Sequence, residues 1–203
     1  MLGADPVRRS VAFLIDPFAK ALLKLGITAN WVTLVGTVGV CVTALITFPQ
    51  GEFLLGTIVI CLFAVFDLLD GTMARLSGAT SKWGAYVDSV SDRLADGAMM
   101  GGVVLFFALS ENDTSAFAAL AALVLGQIVS YSRARAESLG LQARIGIGER
   151  AERTIIFLLG TLLAGLGFEV ALSIAVWVLA VISAITVIQR AVTVYTQATL
   201  EKR

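Results

Sequence analysis

Histidine is absent from the sequence, and only two cysteines occur in 203 residues. Without imidazole, a general base has to be a carboxylate and a metal site has to be built from oxygen ligands. Cys41 and Cys61 lie inside apolar runs, the ordinary place of a buried free thiol, so neither a disulfide framework nor a thiolate metal site is expected. Charge is scarce as well, at 15% of residues against about 25% in soluble domains. The 15 Lys and Arg balance the 15 Asp and Glu, which excludes nucleic-acid binding driven by net charge. Proline is limited to 3 residues and there is no low-complexity run, so collagen-like and disordered classes drop out.

What is abundant is apolar. Hydrophobic residues make up 58% of the chain and mean hydropathy is +0.89, too much to hide in a soluble core of this length. Uncharged runs occupy 31–48, 53–66, 97–109, 114–132, 154–168 and 170–189. A helical crossing needs about 20 residues, so the second run must continue through Asp67 to Arg75 and the third must begin near Gly84. The pattern predicts one all-α integral membrane domain over 1–203, with six transmembrane helices in 27–203.

Residues 1–26 lack the apolar core and cleavage site of a signal peptide. Val7, Val11, Leu14, Ile15, Phe18, Leu22 and Leu25 recur at helical spacing, with Asp16, Lys20 and Lys24 on another face. This predicts an amphipathic helix along the membrane interface, with Asp16 as N-cap and Pro17 in the first position. Gly97 and Gly101 form a GxxxG expected to pack closely within the molecule. With alternating spans and a cytoplasmic N-terminus, every Lys and Arg falls on the cytoplasmic side. The opposite loops then hold only Glu52, Glu111, Asp113 and Glu169, so both termini are expected in the cytoplasm.

Five carboxylates interrupt this pattern. Asp67, Asp70, Asp88, Asp92 and Asp96 sit in the ends of apolar spans, where an unpaired charge costs up to about 2.5–3.5 kcal/mol at mid-membrane. Asp67 and Asp70 are i, i+3 apart, and Asp88, Asp92 and Asp96 are i, i+4 apart, so each set lies along one helical face. A turn near 77–82 folds the two helices antiparallel and brings the acids together as an oxygen-rich site for a hard divalent cation, Mg²⁺ or Mn²⁺. Gly71, Ala74 and Gly84 line the acidic faces at helical spacing and leave room beside them. A salt-bridge network with Arg75 and Arg93 is the plainer alternative, and it leaves the excess of acids unexplained.

Written out, the stretch is Asp67-x2-Asp70-Gly71-x2-Ala74-Arg75-x8-Gly84-x3-Asp88-x3-Asp92. It resembles the signature of the CDP-alcohol phosphotransferase family at all eight fixed positions. That resemblance implies a metal-dependent transfer, in which a phosphatidyl or related group moves from a CDP-linked donor to an alcohol and CMP is released. Carried over by position, it implies that Asp67, Asp70 and Asp88 hold two metal ions, with Asp92 a further ligand and the catalytic base. Gly71, Ala74 and Arg75 would face the nucleotide and diphosphate. The segment Asn30-Trp31-Val32-Thr33 resembles the family's nucleotide-side contact, and Ser81 is a further phosphate candidate. A homodimer is expected from the resemblance alone.

The choice of acceptor turns on arginines. Arg133, Arg135, Arg150, Arg153 and Arg190 cluster at facing helix ends, and guanidinium forks suit phosphate. The region resembles the actinobacterial branch of the family whose acceptor is inositol phosphate. This implies CDP-diacylglycerol and inositol phosphate as substrates, with these five arginines toward the acceptor phosphate. Glycerol-3-phosphate, giving phosphatidylglycerophosphate, would use the same arginines. Adherence to the positive-inside rule and contact with anionic lipid heads would also explain them. A divalent-cation transporter or channel would need polar residues continuing across the membrane, whereas the acids stop at Asp96. A non-catalytic scaffold needs no acidic cluster at all.

Overall fold

The computed structural model describes residues 6–78 and 81–200, with side chains from Ile15 onward. Among these the chain is all helix: α1 (Pro6–Lys24), α2 (Ala29–Thr47), a 3-10 turn (Phe48–Gln50), α3 (Phe53–Ser77), α4 (Lys82–Leu109), α5 (Asp113–Ser138), α6 (Arg150–Gly165) and α7 (Glu169–Leu200). As expected, α3 runs through the first acids and α4 begins before Gly84. The break between them falls at 78–81.

Among the described residues, four segments are long and apolar enough to cross a membrane: Ala29–Gln50, Phe53–Ser77, Asp113–Ser138 and Glu169–Leu200. The α4 helix carries Lys82, Asp88, Asp92, Arg93 and Asp96 along 82–96, and only the stretch from Gly97 onward is uncharged. At 16 residues, α6 is about 24 Å long, short of a hydrocarbon core of about 30 Å. Val35, Val38, Val42, Leu62, Ile174, Val181 and Ile188 stay exposed along the spanning segments, as side chains facing lipid do.

Contacts divide the chain into two compact units, Met1–Thr43 with Ile58–Ala95, and Ala44–Thr57 with Asp96–Arg203. In the first, Ala19 of α1, Val32 of α2 and Met73 of α3 form a core, with Leu22, Leu23, Phe66 and Leu69 packed around it. Two glycines let α2 and α3 approach: a Cβ at Gly39 would run into the Phe63 ring, and one at Gly36 would lie 3.0 Å from Phe66 Cβ. The buried side of α1 is therefore the one carrying Ala19 and Leu22, while Phe18 and Leu25 face outward. Its start also differs from expectation. The helix begins at Pro6 and Pro17 lies inside it, so Asp16 is not an N-cap. An Asp-Pro pair occurs at 5–6 as well as 16–17, and dipeptide chemistry alone does not separate the two.

In the second unit Phe48 is fully buried, with ring centroids 5.6 Å from Phe53 and 5.9 Å from Phe157. The close helix approach here uses Gly102, whose added Cβ would lie 2.5 Å from Ala44 O; Gly101 has open space beside it and Gly97 meets only Gln127. The expected GxxxG contact is thus displaced by one residue. Helix α7 supplies the main packing surface, against α5 and α6. Its buried stripe runs Leu172, Ala175, Val176, Leu179, Ala180, Ser183, Thr186, Arg190. The spacing is that of one helical face, and that face changes from apolar to polar at Ser183. Its polar end brings Thr186 and Arg190 against the connection between α5 and α6.

Candidate functional site

The first unit gathers the acids. Asp70 is 8% exposed, and the Thr33 hydroxyl of α2 donates to its Oδ2. Asp67 and Asp88 both lie within electrostatic reach of that carboxylate, so residues from α3 and α4 converge as the spacing predicts. Asp67 and Asp88 are exposed and Asp92 is half-buried. Around them the small residues keep space open. A Cβ on Gly71 would lie 3.6 Å from Arg75 Nη1, and one on Gly84 would lie 3.4 Å from both Asn30 Oδ1 and Ser81 Oγ. Asn30, Ser81 and Gly84, singled out separately in the sequence, therefore meet in one place.

Local chemistry explains several positions. Ser81 Oγ accepts the Gly84 N–H at 2.9 Å, capping the first turn of α4. Arg75 Nη2 donates to Thr72 Oγ1 at 2.9 Å, which steadies the guanidinium one turn from Gly71. Thr33 was expected on the nucleotide side; its hydroxyl is on Asp70. Trp31 is exposed, while Val32 is buried in the core and so supports its neighbours through packing. Ala74 is half-buried.

The donor set is all oxygen and suits a hard divalent ion. Among the described residues, no three His, Cys, Asp or Glu side chains are drawn together closely enough to cage an ion by themselves. An ion of the Mg²⁺ type does not require such a cage, since it keeps several waters and completes its shell with substrate phosphates. Carboxylates near enough to repel one another, with one fixed by a hydroxyl, fit that manner of binding.

The second unit holds the five arginines of the acceptor set, in four settings. Arg153 is 9% exposed; its Nη1 donates to Gly148 O at 2.6 Å and its Nη2 to Gly126 O at 3.5 Å. Arg190 is 3% exposed, donating through Nε to Ile145 O at 2.9 Å and through Nη1 to Val129 O. Both guanidiniums thus hold the connection between α5 and α6. Arg150 Nε pairs with Asp96 Oδ1 at 3.4 Å. Arg133 shares the Glu137 carboxylate with Arg144, at 3.1 and 3.3 Å, and its charge also reaches Arg190. Arg135 stands apart, exposed, over Ser138 Oγ.

A cavity of about 50 Å³ joins part of this set, with Asp96, Gln127, Arg150, Arg153, Thr154 and Ser183 among its walls. Sequence reasoning missed Gln127, Ser183 and Thr186. The signal available for the last two was their register on the buried stripe of α7, where apolar residues are otherwise expected.

The family model for CDP-alcohol phosphatidyltransferases matches residues 26–193. A phosphatidylinositol phosphate synthase of Streptomyces avermitilis is 48% identical over 188 residues, 89% of this chain and 77% of that protein. One from Mycobacteroides abscessus is 44% identical over 185 residues, 90% of this chain and 84% of the other. The crystal structure of the Mycobacterium tuberculosis phosphatidylinositol phosphate synthase with CDP-DAG bound superposes with a TM-score of 0.86 at 41% identity, covering 89% of this chain and 92% of that one. The same enzyme in complex with manganese and citrate gives a TM-score of 0.85.

Proposed function

This chain belongs to the CDP-alcohol phosphatidyltransferase family, a transferase of phospholipid biosynthesis in the membrane, and on that premise we propose its reaction: transfer of the phosphatidyl group of CDP-diacylglycerol to inositol phosphate. The products are phosphatidylinositol phosphate and CMP. The observation that carries the proposal is the convergence in the first unit of Asp67, Asp70 and Asp88, together with Asn30, Ser81 and Gly84. The relatives at 40–48% identity, phosphatidylinositol phosphate synthases, and the solved relative with CDP-DAG bound support this choice of donor and product.

The acceptor hydroxyl oxygen attacks the β-phosphorus of the donor. The bond from that phosphorus to the bridging oxygen breaks, and CMP leaves with the electron pair. Asp92 takes the hydroxyl proton, the role open to a carboxylate where no histidine exists. Asp67, Asp70, Asp88 and Asp92 hold two divalent ions, which when bound stabilise the charge on the diphosphate and align it for in-line displacement. Thr33 fixes the orientation of Asp70. Gly71, Ala74 and Gly84 leave room for the diphosphate to approach the backbone, and Arg75, Asn30, Trp31 and Ser81 face the CDP side. Arg133, Arg135, Arg150, Arg153 and Arg190 draw in the acceptor phosphate.

The same reading takes α2 to α7 as six spans of one domain, with α4 and α6 completing the four more apolar ones. It places the active site and both termini at the cytoplasmic face, on the distribution of Lys and Arg, and the working form as a homodimer. The test is CMP release by the purified protein in detergent with CDP-diacylglycerol and Mg²⁺. Inositol phosphate, inositol and glycerol-3-phosphate are supplied separately. Release with inositol phosphate alone is expected. Release with glycerol-3-phosphate instead keeps the mechanism and overturns the acceptor.

A further inference from the structure

The cavity of the second unit has more polar chemistry than phosphate binding calls for. Arg150 and Arg153 line it, and so do Asp96, Gln127, Thr154 and Ser183. Ser183 is 0% exposed, and among the described residues its Oγ has no hydrogen-bond partner. One turn along the same stripe, the Thr186 hydroxyl bonds both Ile182 O and the Gly148 N–H. Polar groups sealed from water are kept paired, and a hydroxyl that meets no protein group while facing a cavity is poised for one that enters.

The rest of the lining narrows the class of ligand. Asp96 and Arg150 neutralise one another at 3.4 Å, so that part of the wall presents an acceptor and a donor with little net charge. Gln127 adds a side chain able to give and to accept. Between these polar groups stand Met99, Met100, Phe157 and Leu179. Alternating apolar wall with paired donors and acceptors matches a polyol, whose C–H faces are apolar and whose hydroxyls both give and accept. A water-sized group needs about 10–15 Å³, so the space of about 50 Å³ seats roughly three to five hydroxyl-sized groups.

We infer that this cavity takes the hydroxyl-bearing edge of the acceptor, with Ser183 Oγ and the Gln127 amide as the contacts that read it. The inference rests on the reaction proposed above, in which Arg153, on the same wall, meets the acceptor phosphate. Selectivity among phosphorylated alcohols then lies in α5 and α7, and the arginines contribute only attraction for the shared phosphate.

The experiment pairs Ser183→Ala and Gln127→Leu with inositol phosphate and a set of its mono-deoxy analogues, each lacking one ring hydroxyl. With the full acceptor, Ser183→Ala is expected to lower kcat/KM roughly tenfold, the scale of one buried hydrogen bond, while KM for CDP-diacylglycerol stays unchanged. With one particular deoxy analogue, wild type and variant should converge, because neither retains the contact. Gln127→Leu should converge with wild type on a different analogue. A uniform loss across all analogues, or no loss on any, overturns the inference and leaves a purely structural serine. Failure of the reaction itself shows separately, as wild-type protein that releases no CMP with inositol phosphate, and this inference falls with it.

Discussion

Of the four signature acids in the first unit, Asp70 alone is buried, held by the Thr33 hydroxyl. In the second unit, Arg153 and Arg190 are buried too, but each guanidinium is spread over two backbone carbonyls. Asp67, Asp70 and Asp88 are gathered against their mutual repulsion, whereas the arginines hold the chain that surrounds them. Charge assembled against repulsion is relieved by a cation from outside, so losing one such acid injures function and spares the fold. Charge spent on carbonyls belongs to the fold as well, and losing it injures both. The two regions should therefore respond differently to the same kind of substitution.

The largest effect is expected from Asp92→Asn, which removes the proton acceptor without changing shape. CMP release should fall about 10²–10⁴-fold, the range of general-base catalysis, with the melting temperature little changed, since asparagine keeps the shape and a hydrogen-bonding oxygen. A cooperative loss of folded protein in this variant would erase the contrast between the regions. Next comes Thr33→Val, which strips the hydroxyl from Asp70 and leaves the carboxylate in place. The Mg²⁺ concentration for half-maximal activity should rise about 10- to 100-fold, as when a supporting partner of a metal ligand is lost. Full activity at saturating Mg²⁺ would separate this effect from damage to catalysis.

Arg190→Ala tests the other side of the comparison. It leaves the Ile145 carbonyl without its donor, at about 1–3 kcal/mol, and takes one donor from Val129 O, which keeps the Ser132 hydroxyl. A lower thermal midpoint should accompany the loss of turnover, and Arg190→Lys should recover only part of either. An Arg190→Ala protein as stable as wild type would show that the carbonyl bonds are incidental. The smallest effect is expected from Arg135→Ala. This arginine is exposed and its guanidinium lies on Ser138 Oγ at 3.4 Å, so KM for the acceptor should shift a few-fold and stability should not move.

Helix boundaries and the acidic motif were largely legible in the sequence. The lengths of α3 and α4 followed from the need for about 20 residues per crossing, and i, i+4 spacing put the acids on shared faces. Contacts that depend on what a face meets were not. Gly102 rather than Gly97 and Gly101 makes the close approach, because a small-residue pattern states where a helix can be approached and not where it is. Arg153 and Arg190 read as cations placed for a phosphate, with the positive-inside rule as the plainer account, and neither account foresees their burial on backbone carbonyls. A bond from a side chain to a backbone leaves no signature at the accepting residue. Ser183 was invisible for a related reason: a small hydroxyl passes as filler in an apolar stripe until its neighbours are known.

The connection between α5 and α6 is pinned to α7 at three points. The Gly148 N–H bonds Thr186 Oγ1, Ile145 O takes Arg190 Nε, and Gln142 exchanges two hydrogen bonds with Gln197. Positions descend along the connection as they ascend along the helix, like rungs between antiparallel rails. From 186 to 197 the helix rises about 16 Å, while residues 142–148 reach about 20 Å when fully extended. The segment is consequently a taut strap with about one residue of slack. Length is what it must preserve together with its tight points: a substitution at exposed Ile147 should be absorbed, whereas one at Gly146, where φ is +137° and a Cβ would lie 2.3 Å from Thr186 Cγ2, or the deletion of two residues would tear a fastening loose.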